Sequence, residues 1–399
     1  YFIIIGFTAG LSIGVTALIS NAIGKNDEKK ASLLLAQAIL TSLIISFLVT
    51  LVGIYGTGPI LKFLKTNPEI IFYAKDYMDI IFLGASLFFL QLTINSFLVS
   101  RGDTKSLRNV LIITFFLNLV LNPIFIYGLY FIPAMGIKGI ALATLCSQLF
   151  GLIYIILKVN KTNLKKFLNP ECFIPKYNLQ KEILSQTIPA TISMMLIGLG
   201  VFVLLFYVST YGDYSAGGYG AAIRFEQLFL LPVLGLNAST LALVGQNFGA
   251  MNFVRIHETY TRSIFYGTLF MGICGLFVFF SSDYIMYFFS DNDEIIFYGS
   301  TYLKIAAFAG PCYPIFFISS ALLQGLKKPN YQMVINLMRM VILPVCGLSV
   351  AVLYLQVNFT TMFLVVLAIN YVFAAAVYKF SVYQIDLMQK NYKPNLDAV

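Results

Sequence analysis

The sequence predicts an all-α, polytopic membrane protein made of two parallel-related six-helix bundles, with eleven of the twelve helices present. Three observations predict it. Of 399 residues, 59% are hydrophobic and only 11% are charged, about half the charged share of a soluble globular chain. Apolar runs of spanning length recur eleven times along the chain. A five-residue segment also returns unchanged 225 residues after its first appearance.

A membrane span needs about 20 mostly apolar residues to cross about 30 Å of hydrocarbon. Runs that meet this requirement occupy roughly Tyr1–Gly24, Ala31–Tyr55, Tyr77–Ser100, Val110–Tyr130, Gly136–Leu157, Leu184–Val208, Ala216–Val244, Ser263–Phe280, Gly299–Leu323, Tyr331–Leu355 and Phe359–Tyr383. With 25 Tyr and no Trp, tyrosine must supply the aromatic residues of the membrane interface. The connections are short except Lys158–Lys181, which is long and basic. The expected organisation is therefore a first bundle over 1–160, a basic cytoplasmic linker over 161–181, and a second bundle over 182–399.

Charge sets the sidedness. Connections after the odd-numbered runs, together with the tail, hold 19 of the 26 Lys and Arg residues, against 4 in the alternate connections. Such a bias places the basic side in the cytoplasm, and the C-terminus with it. Tyr1 then lies outside. Because the chain begins within an apolar run, without Met or a signal-peptide pattern, one N-terminal span is expected to be lacking. The net charge of +9 is spread over short loops between spans, so the partner it implies is the lipid bilayer rather than nucleic acid. Four cysteines (Cys146, Cys274, Cys312, Cys346) lie in apolar runs and Cys172 in the basic linker; they read as small buried hydrophobes, not a disulfide framework.

The internal repeat accounts for the even total. Glu69–Tyr73 recurs as Glu294–Tyr298, and at the same offset Tyr77 meets Tyr302 and Gly24 meets Gly249. Ser100-Arg101-Gly102 lies over Leu323-Gln324-Gly325, and Asn118, Asn122 and Pro123 lie over Arg339, Leu343 and Pro344. Leu184–Val208 is left without a partner, which the expected extra span would supply. Repeats of six spans run parallel, an arrangement that recurs in secondary transporters.

These residues resemble the multidrug and toxic compound extrusion (MATE) family of cation-coupled antiporters. The resemblance rests on Ile23-Gly24, Ser100–Lys105, Asn118-x3-Asn122-Pro123, Gly139-Ile-Ala141-x-Ala143-Thr144, Arg224-Phe-Glu226-Gln227 with Leu231-Pro232, and Val244–Ala250. It implies a cation site in the first bundle at Asn95, Asn118, Asn122 and Thr144, completed by an acidic residue upstream. Many members carry Asp where this chain has Asn122, so the amide here is a neutral oxygen ligand that cannot titrate. It also implies Na⁺ or H⁺ as the coupling ion, no cofactor, small amphiphilic or cationic substrates, and a monomer in the cell membrane.

The residues also have plainer readings. Asn118 and Asn122 share one helical face, and both could simply hydrogen-bond a neighbouring helix. Pro123 frees a carbonyl one turn back, which an amide could satisfy. Glu226 is the carboxylate placed well inside a span, where a charge costs about 2.5–3.5 kcal/mol on insertion scales and must face a cavity or a partner. It reads either as half of an interhelical ion pair or as a titratable, substrate-binding carboxylate. Arg224, two residues away, is the second candidate on that helix, on a different face. Pro189, Pro232, Gly235, Pro311, Pro314 and Pro344 mark kinks or close helix contacts. His257 has no second His or Cys beside it and reads as a solvated loop residue.

Three functions follow in order: a secondary antiporter exporting organic cations or drugs, a flippase for a lipid-linked oligosaccharide or other amphiphile, and an intramembrane enzyme. The third would need a His/Asp/Glu cluster or an activated nucleophile at span ends, and the sequence offers neither. A primary pump is excluded for this chain by itself, because it has no Gly-rich phosphate-binding loop.

Overall fold

A computed structural model describes residues 2–63, 67–129, 131–162 and 169–392. Part of the expected linker, 163–168, lies outside the described residues. The described chain is helical nearly throughout and holds no β-strand. In order, the helices are α1 (Phe2–Gly24), α2 (Glu28–Phe63), α3 (Pro68–Leu83), α4 (Ala85–Ser100), α5 (Lys105–Tyr127), α6 (Ile137–Asn160), α7 (Tyr177–Val208), α8 (Asp213–Gly249), α9 (Phe253–Phe289), α10 (Asp293–Ala309), α11 (Tyr313–Gly325), α12 (Pro329–Leu337), α13 (Leu343–Leu348) and α14 (Phe359–Tyr392).

Among the described residues, ten helical stretches are long and apolar enough to cross a membrane. The pair α3 and α4, bent by 43° at Gly84, gives an eleventh when the two are taken as one span. The third span thus starts at Pro68, nine residues before the expected Tyr77. The reason is local: the Asn67 side chain accepts from the Glu69 amide at 3.0 Å, and Pro68 takes the first helical turn, where its missing N–H costs nothing. Asn292 caps α10 in the same way, accepting from Glu294 at 2.9 Å. The repeated Glu-Ile-Ile-Phe-Tyr segment is therefore the first turn of a capped helix in each half.

Both of these spans are broken at a glycine. α3 passes to α4 at Gly84, and α10 passes to α11 through a 3₁₀ turn, Gly310–Cys312, that contains Pro311. The expected tenth run is interrupted twice more, by π-helical segments at Met338–Ile342 and Ser349–Tyr354 on either side of Pro344. Pro189 and Pro232, by contrast, sit within uninterrupted α7 and α8.

By tertiary contacts the chain forms two compact units, Tyr1–Thr191 and Ile192–Val399, with the boundary inside α7. In the first, α1 packs on α2 and α4, and α6 on α4 and α5. Between apolar helices in lipid there is little hydrophobic drive, so close contacts of small residues and hydrogen bonds hold them. Ser12 and Ser96 meet hydroxyl to hydroxyl at 2.9 Å, and Ser100 Oγ donates to the Thr16 carbonyl at 3.1 Å. A Cβ at Gly14 would press on the Thr187 backbone.

The described part of the linker is anchored in this unit by one fully buried amide. Gln37 Nε2 donates to the Cys172 and Ile174 carbonyls, both at 2.7 Å, while its Oε1 accepts from the Lys176 amide at 3.0 Å and from Gln180 Nε2 at 2.9 Å. In the second unit, α8 packs on α9, α10 and α11, with α14 along α10 and α11. Its core is built on Tyr219, Met286, Leu303, Met362 and Phe363.

Candidate functional site

Glu226 sits on α8, more than three turns from its start at Asp213. Its two carboxylate oxygens are each claimed by a tyrosine. Tyr302, on α10, donates to Oε2, and Tyr313, the first residue of α11, donates to Oε1 at 2.7 Å. The 3₁₀ break is what lets two tyrosines of one span, eleven residues apart, reach a single carboxylate. The group faces a cavity of about 180 Å³ lined also by Tyr219, Arg339 and Asn370. Aromatic rings stand among its mainly aliphatic walls: Tyr302 meets Tyr219 edge to face at 5.0 Å and Phe363 at 4.8 Å.

Arg339 lies in the first π-helical segment. Its guanidinium carbon stands 4.0 Å from the Phe316 ring centre and 5.1 Å from that of Tyr313, within the range of cation–π attraction. Among the described residues no ion pair joins Arg339 to Glu226. The cavity therefore holds a carboxylate and a guanidinium that are not neutralised by direct contact. Single-turn π segments in helices often sit at functional positions, and this one brings the charge of α12's extension to the cavity wall.

Arg224 is exposed and is not part of this cavity. The cation lining this cavity is Arg339, which falls within the expected span Tyr331–Leu355 without a local sequence pattern that marks it as a site. Tyr219, Tyr302, Tyr313 and Asn370 were likewise missed. Two of these positions carried a signal: Tyr302 pairs with Tyr77 in the repeat, and Arg339 falls over Asn118.

In the first unit, Asn118 and Asn122 do meet, Asn122 Nδ2 donating to Asn118 Oδ1 at 3.0 Å. The amide thus serves its neighbour rather than the carbonyl that Pro123 frees, and α5 runs on through the proline. Asn122 Oδ1 is buried without a protein donor, and so is Oδ1 of Asn95 on α4, a residue only 2% exposed. Thr144 Oγ1, on α6, donates back to the Ile140 carbonyl at 3.0 Å. No hydrogen bond among the described residues joins Asn95 or Thr144 to the asparagine pair.

The pattern of the MatE family matches residues 1–124 and 189–348 of the chain. A probable multidrug resistance protein, YpnP of Bacillus subtilis (strain 168), is 28% identical over 340 residues, covering 84% of this chain and 74% of its own. The FAD transporter of Shewanella oneidensis is 24% identical over 344 residues, covering 86% and 75%. Among solved structures, a multidrug resistance MATE family transporter of the MOP superfamily in an outward-facing conformation superposes with a TM-score of 0.91. It is 22% identical and covers 98% of this chain and 86% of that one.

Proposed function

Because the chain belongs to the MatE family of multidrug efflux transporters, we propose that it is a secondary antiporter exporting organic cations in exchange for Na⁺ or H⁺ by alternating access. The observation that carries this reading is Glu226, a membrane-embedded carboxylate held by two phenols and opening on an aromatic cavity. A lipophilic cation gains there from the carboxylate and from the ring faces together. Exchange with H⁺ follows if substrate and proton compete for that carboxylate, since occupancy by one lowers affinity for the other. The orphaned oxygens of Asn95 and Asn122 suit a neutral oxygen shell for Na⁺, because amides offer acceptors without a titratable proton. The charge bias of the loops supports a cytoplasmic C-terminus.

The test is transport in proteoliposomes with imposed gradients. Ethidium should move against an inward Na⁺ or proton gradient, and movement with neither gradient driving it would count against antiport.

Arg339 supports a second reading, in which the substrate is an anionic amphiphile, such as a lipid-linked phosphate, anchored on the guanidinium. Net transport of an anionic substrate that is lost on removing Arg339 but not Glu226 would favour it.

A further inference from the structure

Three cavities of the second unit lie end to end. The Glu226 cavity shares Glu226 and Ala306 with a narrow gap of about 20 Å³. That gap shares Gly275 and Ala307 with a larger groove of about 440 Å³. The groove runs between α9 and α10, ends at Pro311 in the 3₁₀ turn, and is edged by Tyr371 of α14.

Its outer rim is hydrocarbon-facing by sequence and by exposure. α9 carries no charged residue from Ser263 to Ser282, and Leu269, Ile273 and Leu276 stand exposed along it. The groove owes its depth to small residues. A Cβ at Gly272 would meet nothing within 4 Å, whereas one at Gly275 would run into the Ala307 carbonyl. Two polar side chains line it, and both are spent on the broken span: Thr268 Oγ1 donates to the Pro311 carbonyl at 3.4 Å, and the Tyr371 hydroxyl to that of Phe308 at 2.8 Å. The groove is thus apolar apart from these two hydroxyls, and the charged residue lining the adjoining gap is Glu226.

We propose that this groove seats the alkyl tail of an amphiphilic cation whose headgroup occupies the Glu226 cavity. The proposal rests on the reading of Glu226 as the cation-binding carboxylate, and it adds where the substrate's tail lies and the side from which it arrives. Lipid tails are as apolar as leucine, so moving a tail from bilayer to groove is close to neutral. The groove therefore supplies little affinity of its own. It lets a tailed cation keep its chain in apolar surroundings while the head reaches the carboxylate, with the Gly275–Ala307 contact as the constriction to be widened in passing.

Cys274 lines the narrow gap and serves as a native reporter. In protein with Cys146, Cys172, Cys312 and Cys346 replaced by Ala and reconstituted in liposomes, N-ethylmaleimide labelling of Cys274 is followed by mass spectrometry. Dodecyltrimethylammonium at ten times its dissociation constant should slow labelling about tenfold by mass action; tetramethylammonium, which has no tail, should leave the rate unchanged. Gly272→Leu, which the open space accommodates, should weaken dodecyltrimethylammonium binding about tenfold and leave tetraphenylphosphonium binding within about twofold of the parent. Equal effects of Gly272→Leu on both cations, or an unprotected Cys274, would overturn the groove assignment. Glu226→Gln separates the two layers: if it weakens neither cation, the carboxylate reading itself fails, whatever Cys274 reports. The labelling arm needs no groove variant, so a Gly272→Leu protein that did not fold would still leave the proposal exposed to refutation.

Discussion

Replacing Glu226 by glutamine keeps the volume of the side chain and one acceptor oxygen, and removes the charge. Two effects on stability oppose each other. The phenol donors of Tyr302 and Tyr313 each lose a bond to an ionised partner, worth about 1.5–3 kcal/mol, and regain a neutral one worth about 0.5–1.5 kcal/mol. Against this, the protein no longer holds a carboxylate within the bilayer, which costs about 2.5–3.5 kcal/mol on insertion scales. The fold should therefore be nearly indifferent to the change. Binding should not be. A substrate cation about 5 Å from the carboxylate, at an effective dielectric of about 20, loses about 3 kcal/mol of attraction. That corresponds to an affinity fall of about a hundredfold. Ethidium binding followed by fluorescence polarisation, alongside thermal unfolding of the same samples, reads both quantities. The reasoning is refuted if the variant binds ethidium within about threefold of the parent while melting normally, because the charge would then be structural.

Three further outcomes are expected. Asn118→Ala removes the acceptor that Asn122 Nδ2 uses at 3.0 Å; it should cost only about 0.6 kcal/mol of stability yet weaken the Na⁺ dependence of efflux in inverted vesicles, and an unaltered Na⁺ dependence would make the pair purely structural. Arg339→Met preserves length but forfeits cation–π contact with Phe316 and Tyr313, about 1–2 kcal/mol, and should spare ethidium affinity while lowering that of an anionic amphiphile measured in the same way. Gln37→Leu leaves the Cys172 and Ile174 carbonyls and the Lys176 amide without their partner; at about 1 kcal/mol per bond, tryptic cleavage at Lys176 in detergent should accelerate at least about tenfold.

The spans were legible because lipid imposes a length and a composition on each one, and the repeat was legible because a five-residue identity survives in it. What sequence misjudged was where helices begin and break. The apolar run begins at Tyr77, after Lys75 and Asp76, whereas the Asn67 cap and Pro68 start the helix nine residues earlier. The site divides along the same line. Glu226 announced itself by being a carboxylate inside an apolar run. Its partners did not, because Tyr302, Tyr313 and Arg339 are drawn from two other spans and meet it only through packing. Nearness in sequence does not bring Arg224 to the cavity: it sits two residues from Glu226, about 200° around the helix, on an exposed face.

The two halves also show how one repeated scaffold can carry different chemistry. Asn118, Asn122 and Pro123 lie over Arg339, Leu343 and Pro344, so the proline is kept while the polar residues differ. In the first unit the helix runs through Pro123 unbroken and pairs two neutral amides on one face. In the second, the segment before Pro344 is π-helical, which accommodates the carbonyl that proline leaves unbonded by widening the turn. Widening changes the direction of every side chain in that turn, and the residue there is an arginine that comes to rest over Phe316 on the wall of the Glu226 cavity. A mid-span position that is electrically neutral in one repeat is thereby a positive charge in the other. The cavity of the second unit is therefore lined by charges of both signs, Glu226 and Arg339.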